Sequence, residues 1–392
     1  MNLSDLRGNT FNKDKVAIVV VGYNRIKSIS RLLNSLLVAK YPNDDVPLVI
    51  SIDCSGDLEL YSYVQEFEWP FGDKYVNIQS ERLGLKNHIL QCGDLCTYFN
   101  AIILLEDDLY VSPYFYQYTL KTLEKYGGES KIAQISLYKN EMNGYVGLPF
   151  DNMKNGYDVF LMQDVSTWGQ CWNMRMWGEF KKWMDTITED DIQRVDMPIQ
   201  IKKWTHAWSK YYNAFVVDQH KYVVYPNVSL TTNFSDAGVH GGHNNSIVQV
   251  NLLQNDFEYR LGDINDLVAY DIFFNNESIY RWLGLTDKDL CLDLSAFYRD
   301  HSKKRYLLST ALLPYKVIRS FALNLRPIEL NVKYNISGEG IYLYDTTFPT
   351  ERKISKLNHI LILYHLRCFN TRYLLKYILK YYIKTLYKKI VR

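Results

Sequence analysis

Residues 100–110 read Asn-Ala-Ile-Ile-Leu-Leu-Glu-Asp-Asp-Leu-Tyr. Residues 102–105 are a short, unbroken and partly β-branched apolar run, the pattern of a strand buried on both faces of a parallel sheet. Glu106, Asp107 and Asp108 follow directly. Three adjacent carboxylates at the end of a buried strand repel one another by about 2–3 kcal/mol per pair, taking a separation of roughly 6 Å and an effective dielectric near ~20. Two readings follow: a positive partner sits there, or the turn faces water as charge runs usually do. A divalent cation suits the first, because Mg2+ or Mn2+ is held by one or two carboxylates and completed by substrate phosphates. The carboxyl end of a strand in an open α/β sheet is also where ligands bind.

Elements on either side extend the pattern. Ser112-Pro113 marks a helix start, Phe115, Tyr116, Thr119, Leu120 and Leu123 form its stripe, and Gly127-Gly128 ends it. Toward the N-terminus, residues 15–21 predict a buried strand, residues 22–25 a turn, and Ile29, Leu32, Leu33, Leu36 and Leu37 a helix. Further strands are expected over 46–52, ending at Asp53, and over 75–79, with a helix after Gly84. Strand, turn and helix in repetition predict a doubly wound α/β sheet. The first turn lacks GxGxxG, which disfavours a dinucleotide-binding fold.

The run LLEDDLYVSPYFYQY, residues 104–118, resembles the acidic metal motif of GT-A glycosyltransferases. It is most similar to the type found in the N-acetylglucosaminyltransferase that starts complex N-glycans (family 13) and in bacterial family 2 enzymes. The resemblance implies a GT-A fold, a Rossmann-like mixed sheet with helices on both faces, and inverting transfer of a sugar from a nucleotide diphosphate. It further implies that Asp108 touches a Mn2+ or Mg2+ ion, that Glu106 and Asp107 face ribose and waters, and that Tyr23, Arg25 and Asp53 contact the nucleotide. Arg25 has the alternative of pairing with Asp53, and Asp53 that of capping a turn or helix.

Residues 163–172, Gln-Asp-Val-Ser-Thr-Trp-Gly-Gln-Cys-Trp, are similar to the Asp…Gly-x-Gly-Trp segment that lines the sugar and acceptor pocket in these relatives, with Cys171 in place of the second glycine. Trp168 and Trp172 are the candidates to stack on a sugar, Trp172 equally a core aromatic. Residues 201–214 resemble the helix start that carries the catalytic Asp, but no Asp stands there. His206 is the leading candidate base, because imidazole titrates near neutrality, and Asp164 the second. Residues 233–243 resemble the mobile loop over the diphosphate, where His240 and His243 would bind phosphate or complete the metal shell.

At 392 residues the chain accommodates one large domain and an appendage. A net charge of +2 argues against a nucleic-acid binder. Six cysteines form no CxxC pair, the first residues lack the apolar core of a signal peptide, and no apolar run approaches a membrane span, which together predict a cytoplasmic protein. The expected organisation is a polar tail (1–14), a catalytic domain (15–275; nucleotide half 15–131, acceptor half 132–275), an accessory region with a β-hairpin at residues 331–347 (276–352), and basic amphipathic helices (353–392). No acidic residue follows Glu351, whereas lysines and arginines interleave with apolar stripes. That composition fits an interfacial helix at the inner face of the cell membrane, or a basic helix packed on the domain or on a second subunit.

The sequence thus predicts a metal-dependent enzyme moving a sugar, with a UDP-sugar the favoured donor, to a glycan or lipid-linked acceptor in surface polysaccharide synthesis. A sugar-nucleotide nucleotidyltransferase and a catalytically silent sugar-binding or scaffold protein are the alternatives.

Overall fold

The computed structural model describes residues 13–205, 207–236, 248–297, 299–351, 359–366 and 370–390. They form two units, one comprising 146–151 with 277 onward and the other the remainder through 276.

The larger unit is built on a nine-stranded sheet. Its parallel part comprises β1 (Val16–Gly22), β2 (Leu48–Ile52), β3 (Lys74–Ile78) and β4 (Ala101–Glu106), ordered β3-β2-β1-β4. Every residue of β1 and β2 is buried, which fits their largely apolar composition; Ser51 of β2 is the polar exception and bonds His88. Helices α1 (Ile26–Leu37), α2 (Leu58–Glu66) and α3 (Gly84–Gly93) follow the first three strands. Helix α1 buries Ile29, Leu32, Leu33 and Leu36, the three- and four-residue steps of one helical face. The strand order reverses at β1, so the crevice of a doubly wound sheet opens there, beyond the strands' carboxyl ends. Val21 pairs with Glu106 in the β1–β4 register, and the acidic turn therefore stands beside the turn carrying Tyr23 and Arg25.

The remaining elements are β5 (Leu109–Val111), α4 (Phe115–Tyr126), β6 (Ile132–Ser136), β7 (Met142–Asn143), β8 (Leu148–Pro149, of the second unit), β9 (Val159–Met162), β10 (Gln170–Asn173), α5 (Met174–Met184), α6 (Glu189–Arg194), α7 (Ile199–Lys202), α8 (Trp208–Asp218), β11 (Tyr222–Pro226), β12 (Thr231–Asn233) and β13 (Ala269–Tyr270). Strand β10 runs antiparallel between β4 and β6, and β11, β9 and β13 complete the sheet. Pro226 within residues 222–230 leads to the expectation of an edge strand or one that ends in a bulge; β11 is interior, between β6 and β9, and its pairing with β6 shifts register between Tyr222 and Val223. Proline is tolerated because it is the last residue of the strand.

Trp172 is fully buried, which corrects its assignment as a sugar platform. Its ring contacts Trp177, Trp208 and Tyr212 at centroid distances of 4.9, 5.5 and 5.5 Å, and its Nε1–H donates to Gln134 at 3.3 Å. These rings weld α5 and α8 to the sheet.

In the second unit, β14 (Leu290–Asp293), β15 (Tyr306–Ser309), β16 (Tyr315–Ala322) and β17 (Gly340–Pro349) form a sheet ordered β14-β15-β17-β16. Helices α9 (Ser278–Leu283), α10 (Leu330–Lys333), α11 (His359–Leu366) and α12 (Thr371–Ile390) accompany it. The hairpin expected within residues 331–347 is displaced: α10 occupies its first arm, and β17 pairs with β16 instead. Leu361 and Tyr364 of α11 belong to the core with Leu292, Leu308, Phe321 and Ile341, so the predicted basic appendage is not uniform. Among the described residues no helix is long and apolar enough to cross a membrane.

Trp172→Ala is expected to cost about 3–5 kcal/mol of unfolding free energy, as large aromatic truncations in a close-packed core do; urea denaturation measures it.

Candidate functional site

Beyond the carboxyl ends of β1, β2 and β4 lies a cleft of about 610 Å3, lined by Tyr23, Arg25, Asp53, Arg82, His88, Glu106, Asp107, Asp108, Trp168, Trp204, Asn233 and Asp236 among others. Six of these are sequence-predicted nucleotide or metal residues, brought together from three strand ends; Trp168 reaches the same cleft from the segment before β10.

The acidic turn is the electrostatic centre. Arg25 grips Asp107 through both ends of its guanidinium fork, Nε donating at 3.1 Å to Oδ2 and Nη2 to Oδ1. Nη2 also reaches Asp108 Oδ2 at 3.3 Å, and Nη1 donates to the Asp236 carbonyl at 3.2 Å. Arg25 therefore pairs with the acidic turn, not with Asp53. Asp108 is steadied on its other side by Asn233, whose Nδ2 donates to Oδ1 at 3.1 Å. The pairing of β5 with β12 delivers Asn233 to that place. Arg31 and Ser28 of α1 both bond the Asp236 carboxylate, and the Arg31 guanidinium lies 3.8 Å from the Phe234 ring centroid.

One guanidinium does not neutralise three carboxylates. Burial pushes the Glu106 carboxyl up to about 8, and repulsion from Asp108 and Asp107 adds to it. Asp107 rises to about 6, through burial that its bonds to Arg25 only partly oppose. Asp108 is raised by burial and by Asp236 against the pull of Arg25. Among the described residues no three metal-ligating side chains stand together as a ready-made cage. Surplus negative charge on oxygen donors alone nevertheless fits a hard divalent cation that takes few protein ligands and completes its shell with water and phosphate.

Asp53 is 4 % exposed, and its oxygens accept the backbone N–H groups of Leu83 and Gly84 at 2.8 and 2.9 Å. It caps the turn that opens α3, where Gly84 adopts φ +74°. Beside it, the Arg82 guanidinium lies 4.8 Å from the Tyr23 ring centroid. His88 bonds Ser51 at 2.8 Å, and burial lowers its imidazole to about 4, so it faces the cleft neutral.

Asp164 lines a second cavity, of about 380 Å3, that shares Trp168, Trp204 and Val248 with the cleft. Its carboxylate accepts from the Tyr145 hydroxyl and from Asn140 Nδ2, the latter at 3.0 Å. Burial pushes it up to about 7, the two hydrogen bonds opposing. Trp168 stands at the junction with its ring edge-on to Tyr138, centroids 4.7 Å apart. His206, His240 and His243 lie outside the described residues.

Sequence reading missed Arg82, His88, Asn140, Tyr145 and the Asn233–Asp108 bond. None carries a local pattern, and each gains its place only through strand pairing or through the return of a distant loop.

No family model matches the sequence, and no curated protein sequence does. Among solved structures, S. aureus TarS 1-349 in complex with UDP-GlcNAc is similar at 12 % identity, covering 58 % of this chain and 60 % of that one, with TM-score 0.37. The same TarS segment in complex with UDP gives 13 % identity, 55 % and 59 % coverage, and TM-score 0.35. The mannosyltransferase PcManGT from Pyrobaculum calidifontis, in complex with GDP-Man and Mn2+, gives 12 % identity, 48 % and 54 % coverage, and TM-score 0.33. The chain covers less than two thirds of each of these structures, and a likeness this loose transfers neither substrate nor activity.

Two outcomes are expected. Arg25→Gln leaves the acidic turn without its counter-charge and costs about 2–3 kcal/mol, below the roughly 3–5 kcal/mol of a fully buried pair because Arg25 is partly exposed; urea denaturation measures it. For Asp164, the folded value near 7 exceeds the ordinary 3.8, so the folded state holds this proton more tightly than the unfolded chain. Its stabilisation is complete below about pH 4 and is lost as pH climbs through about 7. Denaturant titrations at a series of pH values should show the parent losing stability relative to Asp164→Asn across that window.

Proposed function

We propose that the chain is a metal-dependent, inverting glycosyltransferase that takes a sugar from a nucleotide diphosphate, with UDP-sugars favoured, and passes it to a hydroxyl of a glycan or lipid-linked acceptor. The observation that carries this reading is the under-neutralised acidic turn at the switch point, in a cleft that shares Trp168, Trp204 and Val248 with a second, aromatic-walled cavity holding a carboxylate poised near neutrality. A nucleotide diphosphate brings further negative charge, which this cleft accommodates only together with cations. Asp108 would hold the ion, with Glu106 and Asp107 alongside. When bound, the ion neutralises charge that builds on the departing nucleoside diphosphate.

The residues of the chain divide the remaining work. Tyr23, Arg82 and His88 surround the part of the cleft next to Asp53, where the nucleoside is placed; Asp53 holds the turn that shapes it. Arg25, beside the acidic turn, would meet the diphosphate. Trp168 forms the wall between donor and acceptor. Asp164 accepts the acceptor hydroxyl proton as that oxygen bonds the anomeric carbon and the bond from that carbon to the diphosphate oxygen breaks. A base titrating near 7 suits this role at neutral pH. His206 is the rival base by resemblance.

The deciding experiment incubates the full chain with Mn2+ and a panel of labelled nucleotide sugars. Donor hydrolysis or transfer supports the proposal; pyrophosphate release in a parallel incubation with nucleoside triphosphates and sugar 1-phosphates would mark a nucleotidyltransferase, and silence in both a binding module. Asp108→Asn should abolish metal-dependent turnover, and full activity in chelator would remove the metal from the scheme. Asp164→Asn should lower kcat by about 10²–10⁴, the usual contribution of general-base catalysis, and flatten the rise of kcat/KM through about pH 7. Should His206→Ala do this instead, the base is His206.

A further inference from the structure

Helix α12 is unlike any other surface of this protein. Tyr373, Leu375, Tyr377, Ile378, Leu379, Tyr381, Tyr382, Ile383 and Leu386 are each 41–66 % exposed, and they make up half of the described large hydrophobic residues left in solvent. The helix contains six basic residues and no acidic one. Helical periodicity gathers Leu375, Ile378, Leu379, Tyr382 and Leu386 on one side, with Arg372, Lys376, Lys380 and Lys384 winding along the other. Twenty residues span about 30 Å as a helix, yet it is too polar to cross a membrane. By contrast, α11 places Leu361 and Tyr364 inside the core of its unit, where the Tyr364 hydroxyl donates to the Leu325 carbonyl at 2.9 Å.

We infer that α12 alone is a docking element for an anionic lipid surface, lying in the plane of the headgroups with its leucine face toward the acyl chains. Apolar area and attraction to anionic lipid together give such helices their affinity. Lysines flanking the apolar face extend to the phosphate level, and tyrosines are at home at that depth because one end of the ring is apolar and the other wet. A second copy of the helix is the poorer occupant. Leu375, Leu379, Tyr382 and Leu386 have the spacing of a coiled-coil seam, but they cover less than two heptads, whereas such seams are sustained over three or four. Paired copies would also face each other with cations only, where coiled coils set opposite charges beside the seam.

The test is co-sedimentation of the full chain with vesicles of phosphatidylcholine alone and of equal parts phosphatidylcholine and phosphatidylglycerol. The parent is expected to bind the anionic vesicles and leave the neutral ones, with salt weakening the binding. The triple variant K376Q/K380Q/K384Q should bind roughly a hundredfold more weakly, about fivefold per charge. L375S/L379S should also lose binding, because insertion requires the apolar face. All these positions are exposed, so neither variant disturbs a core. Absence of binding to anionic vesicles, equal binding to both vesicle types, or unchanged binding by either variant would overturn the inference. So would a concentration-dependent dimer in sedimentation velocity that L375S/L379S dissolves. Vesicle binding is read without substrate, so its failure is separate from any failure of the proposed transfer activity.

Discussion

Three carboxylates at the end of a buried strand meet a single guanidinium, and much of the larger unit serves that encounter. Arg25 is delivered by the turn after β1, the carboxylates by the end of β4, and the register that sets Val21 against Glu106 brings them within hydrogen-bonding reach. Largely apolar strands leave the charged turns to the rim, since parallel strands buried on both faces hold few polar side chains before they leave the sheet. Burial at the rim then raises the cost of every charge placed there, and the pKa displacements of Glu106 and Asp107 record how incompletely Arg25 offsets it.

The second half of the unit turns this charge site into a bounded cleft. β12 pairs with β5 and brings Asn233 to Asp108, while Arg31 and Ser28 hold Asp236 from α1. Trp168 lines both the cleft and the cavity of Asp164. Behind them, Trp172, Trp177, Trp208 and Tyr212 fill the space between sheet and helices. The high aromatic content is therefore in good part structural, with Trp168 and Trp204 the tryptophans that reach the cleft.

Asp53 and Trp172 show where reading the sequence reaches its limit. An aspartate after a strand caps a turn or meets a ligand with equal economy, and only the Leu83 and Gly84 N–H groups, thirty and more positions away, show which donors its oxygens take. A tryptophan four residues from another, beside a glycine, can face a cleft or a core. The β10 register resolves it by placing Trp172 opposite Ile102, inside the sheet. Pro226 is ambiguous in the same way, because a proline marks a strand's margin without saying whether that margin is its side or its end.

By itself, the sequence determined the α/β class, the strand–turn–helix order of the nucleotide half and the position of the acidic turn. Those properties are local: apolar runs, helical periodicity and adjacent charges act over a few residues and leave direct traces in the chain. The tertiary structure alone decided the partner of Arg25, the capping duty of Asp53, the burial of Trp172, the pairing of Asn233 with Asp108, and the contrast between the packed α11 and the exposed α12. Each depends on which distant segment arrives alongside, and pairing across a sheet or into a core is a property of the whole fold, to which neighbouring residues in sequence give no local clue.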